Sequence, residues 1–217
     1  MKIVWPRKED IHISNADDPV EFYYKFLTGH FFKKRLELAL RLMGCNYYTR
    51  LLEVGFGSGI FLPELSRHCT ELYGTDIHQN TSLVLEMLEK YGIASRLFSQ
   101  SVMSMDFPDN FFDCIICMSV LEHFTVPELK KSVSEIFRVS RENADIIVGF
   151  PVNGIPSQVY SRFVRFNWKC HHLSSQKKIL PVLKSFFKVE KILHWPLFVP
   201  TGLSFYMCLK CKKREQK

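Results

Sequence analysis

LLEVGFGSG, residues 51–59, decides how the rest of the chain is read. Leu51 to Val54 is a short apolar run that reads as a buried strand, and Gly55, Gly57 and Gly59 follow at alternate positions. A helix is expected next, over about Ile60 to His68, with Pro63 in its first turn, where a missing N–H costs little. Strand, glycine loop and helix in this order make a ligand cradle at the carboxyl end of the first strand of an α/β sheet. The glycines let the backbone turn sharply and come close to a ligand.

Three details narrow the ligand. The spacing is GxGxG, whereas the dinucleotide fingerprint is GxGxxG. Glu53 stands two residues before Gly55, and a carboxylate there repels a pyrophosphate but suits an ammonium and a sulfonium. Asp76 ends a second strand-like run, Glu71 to Asp76, 17 residues after Gly59, where an acid can accept both ribose hydroxyls of an adenosine. Taken singly, the glycines also fit an ordinary tight turn, and Asp76 reads equally as a helix-capping acid. Together they describe a cationic, phosphate-free adenosine ligand, and S-adenosylmethionine (SAM) is such a molecule.

Working outward, strands and helices alternate. After the loop come a helix over Asn80–Tyr91, a strand over Ser95–Gln100, an apolar strand over Phe112–Met118 and a helix over Val126–Val139. A strand over Ala144–Phe150 and a helix within Leu173–Phe187 follow. Val189–Trp195 and Leu203–Cys211 then read as an antiparallel edge hairpin. Alternation with apolar strands predicts a mostly parallel sheet with helices on both faces, a Rossmann-like α/β fold. Upstream, Asp17-Asp18-Pro19 resembles a helix start, and Gly29 is expected to divide the next segment into two helices, the second over about His30–Met43 with Gly44 as its C-cap. A chain of 217 residues suits one domain. Its expected parts are an N-terminal helical cap (1–48), a ligand-binding core (49–150), an insertion (151–178), and a last helix with the edge hairpin (179–217).

Composition sets limits. No apolar run approaches the ~18–20 residues of a membrane span, and the N-terminus lacks the apolar centre of a signal peptide, so a cytoplasmic protein is expected. Cys114/Cys117 and Cys208/Cys211 form two CxxC pairs that mimic a zinc site. Both lie in strand-like runs, where residues i and i+3 face opposite ways. Packing, with no metal, is therefore the expectation. Net charge is +7, of which Lys210–Lys217 supplies +4 in what reads as a frayed basic terminus. Such a tail holds nucleic acid or anionic lipid, or simply aids solubility.

LLEVGFGSGIFLPEL, LYGTDIH and MDFPDNFFDCIICMSVLEHF resemble the successive motifs of class I SAM-dependent methyltransferases, nearest to the group acting on small molecules, quinones and lipids. The resemblance implies a seven-stranded sheet with a reversed last strand. It implies that Glu53, Gly55, Phe56, Gly57 and Gly59 surround the methionine part of SAM, that Asp76 holds the ribose, and that Ile77 packs on the adenine. Ser101 and Val102 fall at the adenine edge, where the family often has an acid. Asp106, five residues after Ser101, reads as loop surface. Met118 is expected to approach SAM through its backbone. His123, in the Leu121-Glu122-His123 signature, is a candidate base, as are His171 and His172.

The acceptor leaves weaker marks. No Asp/Asn-Pro-Pro-aromatic motif follows the fourth strand, which disfavours methylation of exocyclic base amines, and no Pro-Cys dipeptide exists. Phe22, Tyr23, Tyr24, Phe26, Phe31 and Phe32 crowd the N-terminal segment. Tyr160, Phe163, Phe166 and Trp168 crowd the insertion, interleaved with Arg162, Arg165 and Lys169. Aromatics between bases suit an apolar, anionic, lipid-like acceptor or stacked nucleobases, and serve equally as a lid's own core. The competing readings are a methyltransferase acting on RNA or protein, a non-catalytic SAM-fold protein, and a nicotinamide-dependent enzyme.

Overall fold

The computed structural model describes residues 3–12, 20–154 and 173–214. Its strands are β1 Tyr48–Val54, β2 Cys69–Asp76, β3 Arg96–Ser99, β4 Phe112–Met118, β5 Ser140–Pro151, β6 Phe187–Trp195 and β7 Tyr206–Lys213. They form one sheet in the order β3-β2-β1-β4-β5-β7-β6. The first five strands run parallel, and β7 is antiparallel to both β5 and β6. The chain steps outward from β1 to β3, then returns to place β4 on the other side of β1. The carboxyl ends of β1 and β4 therefore part at a topological switch point, where such sheets bind ligands.

The helices are α1 Val20–Tyr24, α2 Phe26–Met43, α3 Leu62–Leu65, α4 Thr81–Lys90, α5 Val126–Val139 and α6 Gln176–Phe186. Strand alternation sorts the core into two layers. Leu51, Cys114, Ile116, Ile147 and Cys208 face α2, α3 and α4. Leu52, Val54, Ile115, Cys117, Ile146, Val148, Leu209 and Cys211 face α5 and α6. Each CxxC pair is thus split across the sheet, as the strand period requires. Each fully buried Leu or Ile contributes ~1.5–3 kcal/mol over its exposed state.

Local chemistry explains most boundaries. Thr125 donates its N–H to the Glu128 carboxylate at 2.8 Å, and Pro127 lies in the first turn, so α5 starts where the sequence predicts. Three expectations need correction. Gly29 lies inside α2, donating its N–H to Lys25 O at 2.8 Å, and the break comes at Lys25, whose backbone is extended. A Cβ at Gly29 would lie 2.6 Å from the Tyr23 carbonyl oxygen, so the glycine lets the end of α1 fold back against α2. The helix expected over Ile60–His68 is one α-turn followed by a 3-10 turn at Ser66–His68. The basic tail is strand as far as Lys213, and Lys210 and Lys212 pair with buried Asp145 at 2.8 and 2.6 Å. Asp17, Asp18 and Pro19 lie outside the described residues.

Candidate functional site

The segments that follow β1, β2, β3 and β4 meet above the switch point around a cavity of about 400 Å³. Glu53, Gly55, Phe56, Gly57, Asp76, Ile77, Ser101, Val102, Met118 and His123 all line it. Gly59 does not. Its φ of +74° closes the turn, and a Cβ there would lie 2.4 Å from Val84 Cγ1 on α4. Gly59 therefore supports the loop from behind.

Hydrogen bonds couple the loop to the acid. Gly55 donates its N–H to Thr75 O at 2.7 Å, and Gly57 donates its N–H to Asp76 Oδ2 at 2.8 Å. Asp76 Oδ1 also accepts from the His78 N–H at 3.3 Å. Buried His78 locks the arrangement. Its Nδ1 accepts from the Asn80 N–H at 3.1 Å, which leaves Nε2–H to donate to Gly57 O at 2.9 Å. The carboxylate is held at the cavity edge before any ligand arrives.

Glu53 is buried, and its Oε2 has no hydrogen-bond partner. Burial, with Asp76 nearby adding to it, pushes its carboxyl well above the usual carboxylate range. A buried, unsatisfied oxygen costs ~1–3 kcal/mol and marks a place where a donor or cation is missing.

On the far side, Ile77 is 72% exposed at the rim, an apolar platform, while Val102 is buried behind it. Ser101 Oγ accepts from the Met103 N–H at 3.2 Å, so the hydroxyl also serves its own loop. Next to it, Gln100 accepts from the Asp106 N–H at 3.0 Å through Oε1, and its buried Nε2 has no partner. Asp106 is exposed, as its reading as loop surface requires.

Helix α2 contributes a cation that the sequence does not single out. Arg35 is 7% exposed, lines the cavity, and lies 4.6 Å from the Phe32 ring centroid. It donates to Tyr23 OH at 2.6 Å and to Ser119 Oγ at 3.0 Å. Ser119 in turn shares a hydrogen bond with Tyr206 OH at 2.8 Å. Its φ of +59° is a strained setting for a non-glycine residue, of the kind found at functional sites. Arg35 Nε remains buried without a partner.

His123 is exposed on the cavity wall, at the end of the 3-10 turn Leu121–His123. Its neighbour Glu122 is buried, and burial pushes that carboxyl up to about 8, with Arg35 pulling the other way. The Glu122 carbonyl accepts from the Leu173 and Ser174 N–H groups at 2.8 and 2.9 Å, which ties the segment leading into α6 to the turn after β4. His171, His172 and the insertion's aromatic and basic residues lie outside the described residues.

Residues 52–148 match the family model described as "Methyltransferase domain". Phosphatidylethanolamine N-methyltransferase of Cereibacter sphaeroides is 33% identical over 102 residues, covering 46% of this chain and 49% of that protein. The chain spans about half the length of the curated relatives it matches, with 49% and 45% of the first two covered. Among solved structures, the N-methyltransferase NodS of Bradyrhizobium japonicum WM9, in complex with S-adenosyl-L-homocysteine, superposes with a TM-score of 0.70. The identity is 14%, covering 94% of this chain and 95% of that one. The [4+2]-cyclase SpnF superposes at 0.65 with 16% identity, covering 83% and 80%. Likeness of this kind establishes the architecture, and the chemistry has to be argued from the side chains in the cavity.

Proposed function

We propose that this chain, whose residues 52–148 form a class I SAM-dependent methyltransferase domain, transfers a methyl group from SAM to a small-molecule or lipid-like acceptor. The observation that carries this reading is the buried, unpartnered Glu53 carboxyl facing the same cavity as Asp76 and Arg35. Asp76, together with a Glu53 carboxyl that ionises only against a cation, favours a nucleoside bearing positive charge over one bearing a pyrophosphate. When bound, SAM supplies a methyl group on a sulfonium, already activated for in-line displacement.

The chain's own residues supply binding and alignment. Glu53 ionises against an ammonium, which satisfies its orphaned oxygen. Asp76, anchored by the Gly57 and His78 N–H groups, offers its remaining lone pairs to ribose hydroxyls. Arg35 is the buried cation for a carboxylate, and its free Nε is the donor that such a group uses. Gln100 Nε2 and Ser101 meet the adenine edge, and Ile77 packs on its face. Tyr23, Leu36 and Phe124 keep an apolar wall around the remaining volume and exclude water from the transfer. His123, exposed on the cavity wall, is the candidate base for an acceptor that must lose a proton.

The apolar wall favours a lipid-like acceptor, and the similarity to a phosphatidylethanolamine N-methyltransferase supports that class. The test is incubation of the full-length protein and cell extract with SAM carrying a tritiated methyl group. Label in a solvent-extractable small molecule is expected. Label confined to RNA or protein, or absent from every fraction while SAM still binds, contradicts the proposal.

A further inference from the structure

We infer that the outer edge of α2 and the β6–β7 connection form a docking surface for an anionic lipid bilayer. Residues 196–205, PLFVPTGLSF, carry no charge. Phe198 is 89% exposed, with Leu197 and Leu203 about half exposed beside it. The root of this connection is rigidly held: Trp195 packs on Phe31 at 5.5 Å and on His30 at 6.0 Å between ring centroids. The apolar tip is thus presented by a fixed support.

Phe26, 96% exposed, sits one helical turn before His30 on the same face of α2. Further along that face, Lys34, Leu38 and Arg41 form a cleft with Leu197 and Phe198. Lys25 stands next to Phe26, and Lys34 and Arg41 stand beside Phe198. Glu37 and Glu21 pair with Lys34 and Lys25 at 2.5 and 4.0 Å, so Arg41 carries the net positive charge of this face. Apolar side chains that reach into the acyl boundary, with Lys and Arg behind them at the phosphates, is the arrangement that holds a protein on an anionic membrane. Nucleic acid would meet the cations but leave the uncharged tip facing its phosphates. A second copy would have to approach against a net charge of +7 on each chain.

Helix α2 is the wall shared by this surface and the cavity: Arg35 and Leu36 face the cavity, and Lys34 and Leu38 face the cleft. Docking therefore places the cavity one helix away from the lipid. Docking itself does not depend on the acceptor assignment; only this last consequence rests on it.

The test is flotation of the full-length protein with vesicles of phosphatidylcholine alone and of phosphatidylcholine mixed with phosphatidylglycerol. The protein is expected to float with the mixed vesicles only and to be released by high salt. Phe198→Ser is expected to weaken binding roughly tenfold or more, and Phe26→Ser to weaken it further. No flotation, or unchanged flotation of Phe198→Ser, overturns the inference. So does a dimer that Phe198→Ser makes monomeric, since the surface then belongs to a second copy. SAM affinity, measured on the same samples, is expected to be equal in wild type and variant, which shows that the variant is folded. Flotation without SAM affinity would count against the methyltransferase reading and leave the docking surface standing.

Discussion

Glu53 is a costly residue to bury without a partner. Its burial raises the cost of ionisation, and an unpartnered oxygen adds ~1–3 kcal/mol. A cationic ligand reverses both effects, so binding should be coupled to proton release from Glu53. Titrations in two buffers of different ionisation enthalpy should show heats that differ by buffer for wild type and that converge for Glu53→Gln. At the other end of the ligand, Asp76→Ala should weaken SAM binding by ~1–3 kcal/mol, about 10- to 100-fold, measured by calorimetry. Unchanged affinity would remove Asp76 from the ribose role. Glu53 and Asp76 were legible in the sequence because each ends or precedes a recognisable strand and glycine turn. Arg35 was not. It is the third of three consecutive bases, Lys33-Lys34-Arg35, and which of them faces inward depends on how α2 is rotated against the sheet. Gln100 and His78 were missed for a related reason: their roles come from contacts between loops far apart in sequence.

At the scale of elements, the start of α5 and both ends of β4 were readable, because capping chemistry and an unbroken apolar run carry their own signals. The beginning of β5 was not, since residues 141–143 are exposed and only Ser140 of this stretch pairs with β4 before the register shifts. Gly29 is the instructive miss. Intrinsic propensity makes glycine a helix breaker, yet here it permits close contact within a continuing helix. Gly29→Ala improves helix propensity by ~1 kcal/mol but sets a Cβ 2.6 Å from the Tyr23 carbonyl oxygen. A lower melting temperature and weaker SAM binding are expected, since Tyr23 lines the cavity and accepts from Arg35. A higher melting temperature would mean that α1 is free to move away.

Across the molecule, buried carboxyls set opposing pH limits. Burial works against ionisation of Asp145, but Lys210, Lys212 and Tyr48 overcome it and hold its carboxyl below the ordinary value of 3.8. The stability it contributes is present above that value and is lost as pH falls through the folded-state value. Glu122 behaves in the opposite sense. Its carboxyl is raised from 4.5 to about 8, so its contribution is complete below 4.5 and is lost as pH rises toward 8. Glu53 adds to the same alkaline decline. The ligand-free protein should therefore be most stable in mildly acidic buffer, and Glu122→Gln should flatten the decline between about pH 5 and 8, read from thermal melts across pH. A profile that rises through that range would contradict the burial of these groups. The fold as a whole was legible because strand alternation, the glycine turn and the order of elements agree with one another. The placement of the basic terminus was not, since its strand is specified by pairing with Asp145 on β5.

Calorimetric titration of the full-length protein with SAM and, in parallel, with NAD decides which kind of nucleoside the cavity takes. Saturable heat with SAM and none with NAD is expected, because Glu53 gains a partner from a positively charged nucleoside and none from a pyrophosphate. Heat with NAD and none with SAM would contradict that reading.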